Sequence, residues 1–174
     1  MYQEYIVTAK EVKGYCPAIS DDISDSLVNS GILMVEDTIL KDSCGQAWTD
    51  EIITQKSGGT YTTANAIIVN NYLKQLISYG VWQYLTTTLS LQLNSSGLRI
   101  KSSDHSVASE SVDMAFYRDF IQNYMDSIRR TMKRYIDDHK TDYPLYYNNT
   151  YHDKPSENVY NFKIGNIRQK TNND

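Results

Sequence analysis

Apolar residues recur every three or four positions along two long stretches of the chain, and this spacing predicts two long amphipathic helices. The first helix is predicted over residues 62–88 and the second over residues 107–140. The apolar stripe of the second helix comprises Val112, Ala115, Phe116, Phe120, Tyr124, Ile128, Met132, Tyr135 and Ile136. We expect this stripe to pack in the core, with a surface for a partner helix as the alternative.

Shorter helices are predicted nearer the N-terminus. The segment Thr8–Glu11 has the spacing of a capping box, which starts a helix at about residues 8–13. Gly14 is expected to end this helix, because glycine readily adopts the left-handed conformation found after a last helical turn. The apolar spacing then predicts a helix over roughly residues 22–42 and a shorter one at about 46–56.

Between the two long helices the pattern changes to a period of two. Leu89, Leu91 and Leu93 alternate with polar residues, and Leu98 and Ile100 alternate again after a polar, glycine-containing turn. Such alternation around a turn is typical of two paired strands. The sequence therefore predicts a small β-hairpin near residues 89–101.

These patterns predict a mainly α fold: a helical bundle of about four to five helices with a small β-hairpin and extended terminal arms. Tyr143-Pro144 is expected to end the helical region, because proline restrains its predecessor and removes a hydrogen-bond donor. The helical domain is predicted over residues 1–145 and a C-terminal arm over residues 146–174. The arm contains seven asparagines and buries too little apolar surface to fold alone.

The composition excludes several classes of protein. The chain has 17 Lys and Arg against 21 Asp and Glu, a formal net charge of -4, which excludes a strongly basic nucleic-acid binder and argues against attraction to anionic lipid. No apolar run approaches 18 residues, so no membrane span is predicted. Fifteen tyrosines against three phenylalanines and two tryptophans favour half-exposed interfaces, since tyrosine has an apolar ring and a hydroxyl that needs a partner.

No pattern indicates catalysis, a cofactor or a metal. The sequence lacks the glycine-rich and nucleophile motifs of common enzyme families. His105, His139 and His152 have no ligand-type spacing, apart from the proximity of His139 to two aspartates. Cys16 and Cys44 form no redox or zinc pair; a disulfide between them stays open, with reduced thiols as the expected state. We therefore expect a protein that is not an enzyme.

Two sets of residues are candidate contact sites. One is a basic cluster on the last predicted helix: Arg129, Arg130, Lys133 and Arg134. It contacts nucleic acid or an acidic partner, or else it stabilises the helix end through the dipole and through nearby aspartates. The other set consists of partner-binding candidates in the arm, namely Tyr146, Tyr147, Tyr151, Tyr160, Phe162, Ile164 and Ile167. Alternation of Tyr160, Phe162 and Ile164 is typical of a segment that adds a strand to a partner's sheet, with a disordered tail as the alternative.

Short phrases in this order resemble a known family. They are the opening YIVTAKEVKGY, the helix DDISDSLVNSGILMVEDTIL, a CG turn, AWTDEI, the long helix TANAIIVNNYLKQLISYGVWQYLTTTL, GLRIKSSDHS and the closing DYPLY. Over about residues 5–147 the chain resembles the head–tail connector proteins, also called adaptor or neck-ring proteins, of tailed bacteriophages. The resemblance is closest to those of phages of Bacteroidales, including the crAss-like phages.

The resemblance implies a structural virion protein at the neck, or portal vertex, assembled in the host cytoplasm. Such proteins form homo-oligomeric rings, usually of twelve copies, that join the portal protein to an adjacent neck or tail protein. DNA passes through the lumen during genome ejection without sequence-specific binding, and no membrane is involved. The alternative that the residues leave open is a helical binding or regulatory module that contacts nucleic acid through its basic helix end.

Overall fold

The computed structural model describes residues 5–94, 97–100 and 111–147, and the side chains of residues 5–89 and 115–147. Its α-helices are α1 (Ala9–Tyr15), α2 (Asp25–Val35), α3 (Lys41–Cys44), α4 (Gln46–Ser57), α5 (Thr63–Ile68), α6 (Lys74–Ser90), α7 (Ser111–Asp138) and α8 (Pro144–Tyr147). The π-helical turn Glu36–Leu40 connects α2 to α3, a second π-helical turn, Val69–Leu73, connects α5 to α6, and Lys140–Asp142 forms a 3₁₀ turn. The prediction of a mainly α protein is confirmed.

Two strands lie between the long helices. Strand β1 (Leu91–Asn94) pairs antiparallel with β2 (Gly97–Ile100), and Leu91 is opposite Ile100 in the register. The strand β1 follows α6 directly along the chain.

The helices that precede these strands agree closely with the spacing of apolar residues. Helix α4 and the continuous helical segment formed by α5, its π turn and α6 begin and end within two residues of the prediction. Gly45 has a φ of 80°, a conformation that favours glycine, and it produces the turn between α3 and α4 that the sequence indicates.

Two predicted helix ends are wrong. Helix α1 continues through Gly14, and its last cap is Cys16, whose N–H donates to the carbonyl of Val12. Helical structure also continues past Pro144, which begins α8 instead of ending the helical region. Proline is favoured at the first position of a helix because its missing N–H has no partner to bond there.

Helix α6 lies at the centre of the fold and packs against α1, α2 and α7. Two glycines allow α2 and α6 to approach closely. A Cβ on Gly31 would lie 2.9 Å from Tyr84 Cδ1, and a Cβ on Gly80 would lie 3.0 Å from both γ carbons of Val35. The small residues therefore determine the distance between these two helices.

We expect Gly80→Ala and Gly14→Ala to change stability in opposite directions. Alanine at position 80 would crowd Val35 and Ile39, and we expect a net loss of about 1–2 kcal/mol after the helix-propensity gain of about 1 kcal/mol. Alanine at position 14 would meet no atom within 4 Å, so a gain of up to about 1 kcal/mol remains. Urea unfolding of the two variants checks this, and equal effects would contradict the close packing of α2 and α6.

Candidate functional site

The C-terminal turn α8 belongs to the folded core, which corrects the predicted boundary of the arm. Tyr146 is buried, and its ring lies 5.7 Å from the ring of Trp48 at an interplanar angle of 84°. Tyr143, just before α8, is also buried, and its hydroxyl donates to the carbonyl of Ala64 at 3.0 Å. The placement of Tyr146 in an arm without a core is therefore wrong.

Tyr147 is the one arm candidate of the described chain that is partly exposed. Its hydroxyl donates to Asp137 Oδ1 at 2.6 Å, and Lys140 Nζ lies 5.6 Å from the centre of its ring. Desolvation and this hydrogen bond raise the pKa of Tyr147. These contacts hold Tyr147 against the end of α7, so the described fold continues through residue 147. The other arm candidates, Tyr151, Tyr160, Phe162, Ile164 and Ile167, lie outside the described residues.

The four residues of the basic cluster fall into two groups, according to whether the described residues provide an ion-pair partner. Arg129 Nη1 lies 2.8 Å from Asp126 Oδ1, and Arg129 Nε donates to Ser43 Oγ at 3.0 Å. Lys133 Nζ lies 2.7 Å from Asp137 Oδ2. Arg130 and Arg134 are exposed, and neither forms an ion pair within the part of the chain that the structure describes. Two of the four charges are thus neutralised by the aspartates that helical spacing offers.

An exposed aromatic surface lies on α7, where the sequence predicts core. Phe116 is 67 % exposed, Phe120 51 %, Tyr117 49 % and Tyr124 36 %. We call these four residues the aromatic face. The buried side of the helix consists of aliphatic residues and methionines: Ile121, Met125, Ile128, Met132 and Ile136. The predicted stripe combined residues of both faces: Phe116, Phe120 and Tyr124 are exposed, whereas Ile128, Met132 and Ile136 are buried. It did not include the buried residues Ile121 and Met125.

Tyr124, at the edge of the aromatic face, contacts α6. The rings of Tyr79 and Tyr124 lie 4.4 Å apart, and Gln83 Nε2 donates to Gln122 Oε1 at 3.4 Å. Leu89, near the end of α6, is 42 % exposed. Phe116 and Phe120 are the two most exposed residues of the aromatic face.

The described residues contain little that suits catalysis. Among them, no group of three or more His, Cys, Asp and Glu side chains is placed to hold a metal ion. Cys16 and Cys44 are buried free thiols, and burial raises the pKa of Cys44 to about 12, so it carries no reactive thiolate at neutral pH. His139 is exposed and stacks on Tyr135, while His105 and His152 lie outside the described residues.

Two depressions are present on the described surface. One of about 690 Å³ lies beside α1 and the loop after α4, and Lys10 and Lys56 line it. The other, of about 290 Å³, lies beside Trp48 and Tyr143. Its polar groups already bond one another: Trp48 Nε1 donates to Asn65 Oδ1 at 2.9 Å, and Asn65 Nδ2 donates to Glu51 Oε1 at 3.2 Å. The second depression therefore offers a ligand few free polar groups.

One buried carboxyl group is used structurally. Glu36 is 4 % exposed and its Oε1 accepts the backbone N–H of Ile6 at 2.8 Å, which fixes the N-terminal segment to the π-helical turn. Burial is the main cause that raises the pKa of Glu36 to about 7. Within the described chain, no helix is long and apolar enough to cross a membrane.

A family model described as a family of unknown function, DUF6712, matches residues 35–156, which is more than half of the chain. The matched segment runs from the end of α2 through α8 and includes α7 with its aromatic face. Comparison with curated proteins and with solved structures yields no match.

Proposed function

Because the chain belongs to DUF6712, a family of unknown function, we propose its role from its own residues: it is a structural subunit of the head–tail connector of a tailed phage. In this role it forms a homo-oligomeric ring of about twelve copies between the portal protein and the next neck or tail component. The ring continues the channel through which DNA leaves the capsid. The resemblance of residues 5–147 to connector proteins is the source of this proposal.

The observation that carries the proposal is the aromatic face of α7. Four aromatic side chains, each with roughly 200 Å² of surface and about half exposed, offer roughly 400 Å² of largely apolar area. The largest apolar patch on a typical monomer covers about 300–600 Å² and is often functional, which supports a partner surface here. It is about half of the ~800 Å² that each partner buries in a standard interface.

The finer architecture belongs to the same proposal. A bundle with a small hairpin between two long helices and with terminal arms is the arrangement expected of a connector subunit. In a head-to-tail ring each copy uses two different surfaces, and the ring closes when the rotation between neighbours closes. The net charge of -4 is multiplied by the number of copies, which discourages binding of phosphate groups as DNA slides through.

The alternative of a nucleic-acid-binding module is less favoured by the geometry of the basic cluster. Arg129 and Lys133 are already paired with Asp126 and Asp137, so two exposed arginines remain to contact phosphates. A surface of two free charges in a net acidic chain provides little of the counterion release that drives such binding.

The proposal predicts that the chain assembles into closed rings in the presence of the portal protein. Mass photometry and negative-stain electron microscopy of the full chain, alone and with the portal protein, would measure this. The expected result is a ring of about twelve copies attached to the portal ring. A folded chain that stays unassembled with portal and neighbouring neck proteins would overturn the proposal, and salt-dependent binding to DNA would favour the alternative.

A further inference from the structure

Six exposed residues lie along the outer side of α7, opposite its buried face. They are Phe116, Phe120, Asn123, Ser127, Arg130 and Arg134. Their spacing alternates between four and three residues, which keeps them on one line of a helix and is the spacing of a helix-pairing seam. We call this line the outer seam. It is roughly 27 Å long at 1.5 Å per residue, aromatic at its N-terminal end and basic at its C-terminal end.

We propose that the outer seam binds the same seam of a second copy of this chain, with the two helices antiparallel. The six positions are symmetric about residue 125 of the sequence. Antiparallel pairing centred there places Phe116 opposite Arg134 of the second copy and Phe120 opposite Arg130 of the second copy. The two remaining positions, Asn123 and Ser127, then face each other at the centre.

The chemistry at each level of this pairing is complementary. An arginine over a phenylalanine ring forms a cation–π contact, and the pairing provides four such contacts. Both arginines are exposed and have no ion-pair partner among the described residues, so the contact breaks no existing bond there. At the centre, the amide of Asn123 and the hydroxyl of Ser127 are short polar groups that can hydrogen-bond and let the helices approach.

The charges select the antiparallel arrangement over a parallel one. In a parallel pair Arg130 and Arg134 would each lie opposite the same arginine of the second copy. Like charges that face each other across an interface are strongly unfavourable. The antiparallel pair is isologous, so it closes at two copies and does not extend into a filament. Since it covers Phe116 and Phe120, it competes with any ring neighbour for the aromatic face and keeps that face covered in the free subunit.

Two matched double variants test the pairing by sedimentation velocity of the full chain. F116E/F120E places carboxylates opposite Arg134 and Arg130 of the second copy, so this variant should still pair. F116K/F120K places ammonium groups there, and we expect at least about 100-fold weaker pairing. Both substituted positions are exposed, and circular dichroism verifies that the fold is kept.

A cross-link tests the register independently. In N123C/S127C the two new thiols should lie close to those of the second copy, and a short bismaleimide should join them into a covalent pair. The native Cys16 and Cys44 are buried and free, so the introduced thiols react first. A matched control, S26C/S30C on the outer side of α2, should give no covalent pair.

The proposal fails if the wild-type chain stays monomeric up to about 100 μM. It also fails if both charge variants pair equally or if neither pairs, because a nonspecific apolar contact or a parallel helix pair would treat lysine and glutamate alike. Rings with the portal but no free pair would remove this inference and leave the connector role standing. A free pair that never enters a ring would support the pairing and contradict the connector role.

Discussion

Replacing Trp48 by alanine is expected to remove roughly 3–5 kcal/mol of folding free energy through the lost burial and the cavity left behind. Trp48 is 2 % exposed and joins α4 to the C-terminal turn through edge contacts with Tyr143, at 5.5 Å, and with Tyr146. The variant also leaves Asn65 Oδ1 without its donor, which adds about 1–3 kcal/mol if the oxygen stays dry. The sum approaches the ~5–15 kcal/mol that stabilises a typical domain.

Urea unfolding followed by circular dichroism measures this loss. Trp82, the other tryptophan, is half-buried, so W82A is the matched control and should cost less than about 2 kcal/mol. W48F keeps a six-membered aromatic ring but removes the N–H donor and part of the buried indole, so we expect a loss of about 1–3 kcal/mol. Equal unfolding midpoints for W48A and W82A would contradict the anchoring role of Trp48. Chymotrypsin should cleave W48A faster at the tyrosines of α8, because their packing partner is missing.

The helices were predictable because their signals are local. The capping box of Thr8 and Glu11 forms as its spacing indicates, with both reciprocal hydrogen bonds present. The ends of the helices were less predictable, since Gly14 and Pro144 are compatible with both a helix end and a helical position. At Pro144 a tertiary contact favours the helical position: Tyr146, in the helix that Pro144 begins, packs against Trp48, which lies almost a hundred residues earlier in the chain.

The face of α7 could not be predicted from spacing alone, because this helix carries apolar residues on two sides. Phe116 and Phe120 suggest one core face, whereas Ile121 and Met125 suggest another about 140° away. The structure buries the aliphatic series, which stays on one side from residue 121 to 136, and leaves the aromatic residues exposed. The continuity of the aliphatic series was the signal available in the sequence.

The large number of tyrosines predicted half-exposed interface positions, and only some of the tyrosines occupy such positions. Tyr143 and Tyr146 are core residues, and Tyr5 packs against the core, whereas Tyr117 and Tyr124 belong to the aromatic face. The composition gives the number of tyrosines, but the burial of each tyrosine side chain depends on its position on a helix. The candidate surface therefore needed the fold before it could be located.

Replacing Glu36 by glutamine is expected to make the chain more stable above neutral pH and to change how stability depends on pH. The pKa of Glu36 is raised from 4.5 to about 7 in the folded chain, chiefly by burial. Between these values the folded state holds a proton that the unfolded state has released. The stabilisation is thus fully present below pH 4.5 and is lost as the pH rises through 7, a loss of about 3 kcal/mol.

Glutamine stays neutral at every pH, and its amide oxygen can still accept the N–H of Ile6. The difference in unfolding free energy between E36Q and the wild type should therefore grow in favour of E36Q between pH 4.5 and about pH 8. Urea unfolding at several pH values measures it. D37N is the matched control: Asp37 is an exposed neighbour that pairs with Lys41 at 2.8 Å, and its loss should cost under about 1 kcal/mol.

Parallel pH profiles for E36Q and the wild type would contradict the burial of this carboxyl group. Hydrogen exchange at the Ile6 amide provides a second measurement, because that N–H bonds directly to Glu36. In the wild type its protection should weaken above neutral pH along with global stability, since ionised Glu36 is buried without an ion-pair partner among the described residues. In E36Q the protection should stay level across the same range. The N–H of Ile6 thus bonds a buried carboxyl group whose ionisation lowers the stability of the fold above neutral pH.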